Sequence, residues 1–419
     1  MTPELSIPVS TRLAARPRIG LPTIYLAGLA VWLVTRWLVL LHQGAWPWMN
    51  AFVVAAARGI VVGDWNEAVR PQLPAVLGIP LVLLGASEQQ TVAVLYIIAS
   101  VIQFGSFLLL IRTLFPASVD SQALALLVFL TVPLNHSIHH YRDVPVVLAS
   151  SAVFLLAAAW LTSSRSWLWV LAAMFLGVWS RTEVLTFVAA VLLCGLLISR
   201  AEARRRIVTF ATAAVLVAAS LLVIGRIEGV DPEQAARYQV HTFLDSTPES
   251  WLSPECRADP SENCRERDGL TYFGPLVPEA GLVPVVVAHP LTTLAKTARS
   301  ALDNLWVLLG PNLSTFPGIV ACIAVVPLVY APARQALVQL PRAAWVVALA
   351  AVAQSVLPPL SWAPPHPQYH LQFVLPVVIV CVPVLEAVLH ARRGTVVLAL
   401  FYAANLAFSA VRYTRYPGY

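Results

Sequence analysis

The sequence predicts an all-α fold, a polytopic transmembrane helical bundle of about eleven spans with outer-face juxtamembrane helices and one larger extracytoplasmic loop. Three observations carry that reading. Charged residues make up 11% of the 419-residue chain, against about a quarter in soluble domains. Mean hydropathy is +0.75 and 58% of residues are hydrophobic. Apolar stretches such as Val144–Leu161, Ile207–Ile224 and Leu371–Leu389 run almost charge-free and are bounded by arginine clusters. Roughly 20 apolar residues suffice for a helix to cross the hydrocarbon core.

Taken in order, the first apolar run, 21–41, follows Arg12, Arg16 and Arg18. It is too long for a signal peptide and lacks a small-residue cleavage site, so it reads as a retained first helix. Further spans fall at about 91–111, 122–138, 144–162, 167–180, 184–198, 207–225, 306–330, 343–360, 371–389 and 395–411. With these spans every basic cluster shares one side: the N-terminal arginines, Arg112, Arg165, Arg200/Arg204/Arg205/Arg206, Arg334/Arg342 and Arg392/Arg393. The positive-inside rule makes that side cytoplasmic, for a multi-pass protein of the plasma membrane with its N-terminus inside. The net charge of +6 is then topological and points to the lipid bilayer, with no nucleic acid as partner. Leu73–Ala86 is short and interrupted by Pro74 and Pro80. Counting it as a crossing would invert the arginine bias, so it reads as a re-entrant or juxtamembrane helix on the outer side. Three regions result: an N-terminal module 1–225 with a first outer loop 42–90, a loop and juxtamembrane helix 226–305, and a C-terminal module 306–419.

The outer face collects the remaining polar chemistry. In the first loop Asp64, Glu67 and Arg70 lie three residues apart before Pro71. The carboxylates suit a base or a metal ligand, and equally a helix cap with Asp64 at its start. The turn His136-Ser-Ile-His139-His140-Tyr141-Arg142-Asp143-Val-Pro145 opens a span. Asp143 could be its N-cap, but capping leaves three histidines and an arginine unexplained. Arg142 with His139 or His140 fits a phosphate, and Asp143 a general base; His-x-x-His-His also fits a metal, less well. Arg181 and Glu183 interrupt a long apolar stretch as a tight outer turn or a buried ion pair, with Arg181 a candidate for a lipid phosphate.

Loop 226–305 reads either as an ordered cap or as a flexible ectodomain. Cys256 and Cys264 within it suit a disulfide if the compartment is oxidising, or more weakly a zinc site. From His289-Pro290 an amphipathic stretch places Leu291, Leu294, Ala295, Ala298, Leu302 and Leu305 on one face, with Lys296, Arg299 and Asp303 off it. That is the pattern of an interfacial helix on the outer leaflet. Tyr369 and His370 add to the same side.

The order of these pieces resembles the GT-C superfamily of polyprenyl-phosphate-dependent membrane glycosyltransferases. The resemblance is carried by Ala57-Arg58-Gly59 and Gly63-Asp64-Trp65 after the first span and by Arg70-Pro-Gln-Leu-Pro74. It continues in Leu110-Ile-Arg112-Thr-Leu-Phe115, Tyr141-Arg-Asp143-Val-Pro145 and Ser180-Arg181-Thr-Glu183. His289-Pro290-Leu291 and Tyr369 with Phe373-Val-Leu-Pro376 complete it. It implies transfer of a hexose or pentose from a polyprenyl-phosphate-linked sugar to a glycan, lipid or protein acceptor at the outer face. Asp143, Asp64 or Glu67 would be the catalytic base. Arg142, Arg181, Glu183, His139, His140, Arg70, Tyr369 and His370 would bind substrate. No cofactor is required, although Mg²⁺ or Mn²⁺ serves some relatives. Two departures stand out. Asn50 occupies the neighbourhood where the family carries an early acid, and Gln368 stands where an arginine is common before the late tyrosine. The alternatives are a catalytically degenerate subunit of the same scaffold and a lipid or solute transport protein.

Overall fold

Alanine, valine and leucine fill the apolar runs, and such runs, facing lipid, must close their backbone hydrogen bonds internally as helix. A computed structural model shows that they do. It describes residues 20–43, 48–62, 72–131, 144–162, 167–198, 200–227, 232–258, 262–309, 325–356, 374–391 and 393–415, and every regular element among them is helical.

The first part runs α1 (Leu21–Gln43), α2 (Trp48–Val62), α3 (Gln72–Leu83), α4 (Glu88–Leu114), α5 (Val119–Thr131), α6 (Val144–Thr162), α7 (Trp167–Val178), α8 (Val184–Ile198) and α9 (Arg200–Ile227). Then follow α10 (Pro232–Asp245), α11 (Pro254–Ala258), α12 (Glu262–Phe273), α13 (Leu282–Ala288) and α14 (Pro290–Leu309). The chain closes with α15 (Val326–Val329), α16 (Ala331–Val338), α17 (Arg342–Val356), α18 (Val374–Leu389) and α19 (Gly394–Arg415).

Among the described residues four helices are long and apolar enough to cross a membrane, or five if the pair α16–α17, bent by 92°, counts as one. The helical bundle and its membrane character therefore stand, while the structure does not carry the eleven spans expected. The reason is length. Helices α7 and α8 have 12 and 15 residues, roughly 18 and 22 Å at about 1.5 Å per residue, short of a core of about 30 Å. The expected spans 122–138, 306–330, 343–360 and 371–389 also run partly outside the described residues.

Aromatic packing fixes the bundle centre. Phe107 stacks on Phe129 at 4.0 Å between centroids, Trp32 meets the same ring at 4.6 Å, and Phe154 closes the cluster edge-on. Two polar ties cross this dry interior. Gln103 donates to Ser150 Oγ at 2.6 Å between α4 and α6, and the Trp32 indole donates to the Ser100 carbonyl at 3.0 Å. Glycine permits close approach where α8 meets α6: a Cβ at Gly195 would lie 2.6 Å from the Trp160 ring.

The bundle has two chemically distinct ends. At one end Tyr25 of α1 bonds Gln122 of α5, and Glu386 of α18 accepts from Ser118 and Ser121 at 2.9 and 2.7 Å. Arg206 lies over Trp160, and Tyr330 donates to the Ala387 carbonyl. Arg112, Arg206, Arg334 and Arg342 sit on helices ending or starting there, and Arg393 in the turn just before α19. This one-sided charge is what the positive-inside rule expects.

Helices α2 and α3 pack on each other, with α3 also against α4; Gly78 faces Ala57, Thr91 and Leu95. With 12 residues, α3 is too short to span alone. Cysteines introduced at Asn66 and at Glu88 should both react with an impermeant thiol reagent from outside. Labelling of the first alone would make α3 a crossing.

Candidate functional site

The end opposite the arginines is organised by the turn between α7 and α8. Gly177 starts it, since its carbonyl accepts from both Ser180 and Arg181 N–H, at 3.1 and 2.7 Å. Ser180 folds its hydroxyl back onto the Leu176 carbonyl at 2.6 Å. Arg181 then grips Glu183 in a fork, with Nη2 2.7 Å from Oε1 and Nε 3.2 Å from each carboxylate oxygen. Both side chains are nearly buried, so the turn is tight and the ion pair buried, satisfying both sequence readings at once. Burial pushes the Glu183 carboxyl up, but the Arg181 charge and its hydrogen bonds outweigh this and hold it below the usual carboxylate range.

Trp179 extends the reach of this turn. Its indole donates to Ser220 of α9 at 3.1 Å, and its carbonyl accepts from Leu73 N–H at 3.2 Å. The second contact moors the start of α3, two residues past Pro71, beside the Arg181–Glu183 pair. The start of α6 is fixed nearby. Val144, Val147 and Leu148 are buried with Leu40, Val53, Leu95 and Tyr96, and Leu81 and Leu176 pack on the same cluster. The structure thus brings together Leu73, the start of α6 and the Ser180–Glu183 turn, the described residues next to three of the polar segments. Asp64, Glu67, Arg70, His139, His140, Arg142, Asp143, Tyr369 and His370 themselves lie outside the described residues.

Arg36 escaped the sequence reading. It is buried within α1, its guanidinium 3.7 Å from the Trp32 ring centroid and its Nη1 3.3 Å from the Tyr96 hydroxyl. The available signal was a single charge inside the first apolar run, and intramembrane charges are usually functional.

The described residues of 226–305 form an ordered helical unit, here termed the cap. Val240, Phe243, Leu244, Phe273 and Val285 make a core of their own. Cys256 and Cys264 lie at disulfide distance, 5.6 Å between Cα atoms. Asp268 is close to both sulfurs, but its carboxylate already accepts Ser253 N–H at 2.6 Å, a bond that holds its pKa down. The pair therefore reads as a cross-link between α11 and α12 more readily than as a metal centre.

The only lysine of the chain lies inside this unit, on α14. Lys296 is fully buried, donates to Ser246 Oγ at 2.5 Å, and sits 4.2 Å from the Phe243 ring centroid. Burial drives its amine down from 10.5 to about 7, against the opposing pull of Asp245. Comparison with family models, curated proteins and solved structures gives no match to this chain.

The lowered lysine pKa carries a sign. Between pH 7 and 10.5 the unfolded chain holds the proton and the folded chain does not, so stability rises with pH across that window. Below about 7 both states are charged and the folded state bears the whole cost of burial. The melting temperature of the purified protein should rise between pH 6 and 9, and Lys296→Met should flatten that slope. An unchanged slope in the variant would assign the pH dependence elsewhere.

Proposed function

We propose that this chain is a membrane glycosyltransferase that moves a sugar from a polyprenyl-phosphate donor to an acceptor hydroxyl at the extracytoplasmic face. One observation supports the reading above others. Leu73 donates to the Trp179 carbonyl, and Val144 belongs to a buried cluster against which Leu176 and Leu81 pack, so the residues that follow the acids of the first loop and the histidine turn lie beside the Arg181–Glu183 turn. That end lies opposite the arginine clusters, and lipid is the natural solvent on its flank.

In the proposed reaction a carboxylate, Asp143 in preference to Asp64 or Glu67, takes the acceptor hydroxyl proton. The acceptor oxygen bonds the anomeric carbon as the bond from that carbon to the phosphate oxygen breaks. Polyprenyl phosphate leaves carrying the electron pair. Arg142 and a histidine, His139 or His140, stabilise the charge gathering on it. Arg70, Tyr369 and His370 complete the substrate shell. The bidentate lock on Glu183 changes the role of Arg181. Its charge is compensated within the turn, so it positions the site and meets phosphate only by sharing its donors. Mg²⁺ or Mn²⁺ is compatible with the carboxylates and is not needed for this scheme.

Asp143→Asn should leave donor binding nearly intact and lower turnover by roughly two to four orders of magnitude. Arg181→Ala should lower donor affinity and also melting temperature, because a buried Glu183 without its partner costs about 3–5 kcal/mol. Asp64→Asn and Glu67→Gln are the comparison. Full activity in Asp143→Asn with complete loss in Asp64→Asn would move the base to the first loop. Full activity in all three carboxylate variants would refute the mechanism.

A further inference from the structure

Helices α13 and α14 carry their side chains inside out. Val283, Val287, Leu291, Leu294 and Leu302 are all exposed, Leu291 by 79% and Leu294 by 64%. Leu291, Leu294, Ala298 and Leu302 recur every three or four residues and so share one face of α14, while Val283 and Val287, four apart, share one face of α13 before the break at His289; together they are the apolar stripe. Two residues beyond Val283, Leu294 and Ala298 come Val285, Lys296 and Ser300, and all three are buried. Two residues are about 200° of helical turn. The amine and the hydroxyl therefore face the protein while valines and leucines face away from it. Proteins in water rarely leave so continuous an apolar surface open.

We infer that this stripe docks in the lipid of the membrane, in the leaflet at the bundle end opposite the arginines, and forms a foot on which the cap rests. Its composition selects lipid over a protein partner. The stripe contains only valine, leucine and alanine, without the aromatic, arginine and hydrogen-bonding groups that anchor protein interfaces. Its position agrees: Ala301 of α14 packs against the bundle core and α14 touches α17, so the helix lies where the spans meet lipid. Its charge is also distinctive. Interfacial helices usually recruit anionic headgroups through lysines and arginines on the polar face. Here Lys296 is turned inward, and Arg299 is paired with Asp303 at 3.4 Å on the flank. Docking is therefore driven by apolar area and is indifferent to headgroup charge and salt. It does not depend on glycosyl transfer, only on the bundle sitting in a bilayer.

Spin labels at Leu291→Cys, Leu294→Cys and Leu302→Cys test this in the full-length protein, with Cys194, Cys322 and Cys381 replaced by alanine. The variants are reconstituted in phosphatidylcholine vesicles. The labels should collide freely with oxygen and several-fold less with a water-soluble nickel chelate than a label at Glu255→Cys, a fully hydrated site of the cap. Adding phosphatidylglycerol or raising salt should leave those values unchanged. Nickel access equal to that at Glu255→Cys would put the stripe in water and overturn the inference. Low access to both reagents would put it under protein and overturn it too. Strong salt dependence would refute an apolar mode of docking.

Discussion

The Arg181–Glu183 pair is the interaction on which the order of the end opposite the arginine clusters depends. Two opposite charges are held almost out of water, in a turn of a few residues between two short apolar helices. Breaking either partner strands the other in an apolar setting, which costs far more than a surface pair returns. The turn is therefore rigid, and its rigidity is passed on. Trp179 projects from it to Ser220 on one side and receives Leu73 on the other. Helix α9 and the start of α3 are both referenced to this one point.

Charge then separates the two ends of the bundle. The arginine-bearing end uses hydroxyls and amides to satisfy its buried polar groups, as in the pairing of Glu386 with Ser118 and Ser121. The opposite end buries Arg36 against Trp32 and Tyr96 and locks Arg181 onto Glu183. Arginines at the first end stand at or near helix starts and ends. Those at the second are held in position by partners. The cap adds a third environment, in which Lys296 lies between Phe243 and Ser246 and loses much of its basicity.

Helical class, membrane character, the arginine-bearing end and the Ser180–Glu183 turn were all legible in the sequence, because hydropathy and arginine placement act locally. The count of spans was not. Hydropathy does not see where a helix stops, and α7 and α8 are too short to count as crossings on length. The choice between ordered cap and flexible ectodomain depended on long-range packing of Val240, Phe243 and Phe273, which composition does not encode. The apolar face of α14 was read correctly from its spacing, but not the burial of Lys296 behind it. That required knowing that Phe243 of α10 and Ser246, the residue after that helix, arrive there. Arg36 was hidden by the very run that identified the first helix. Of the proposed site residues, Arg181 and Glu183 are found paired, while the acids and histidines of the first loop and of the His136–Asp143 turn lie outside the described residues.

Glycosyl transfer is tested most directly by presenting the purified, reconstituted protein with a panel of radiolabelled polyprenyl-phosphate sugars and following the label. One donor should lose its sugar in a time-dependent way to an acceptor or to water, with polyprenyl phosphate released in equal amount, and Asp143→Asn should abolish this. Tight binding of a donor without release of polyprenyl phosphate, across the whole panel and with membrane lipids supplied as acceptors, would contradict transfer and leave a lipid-binding scaffold.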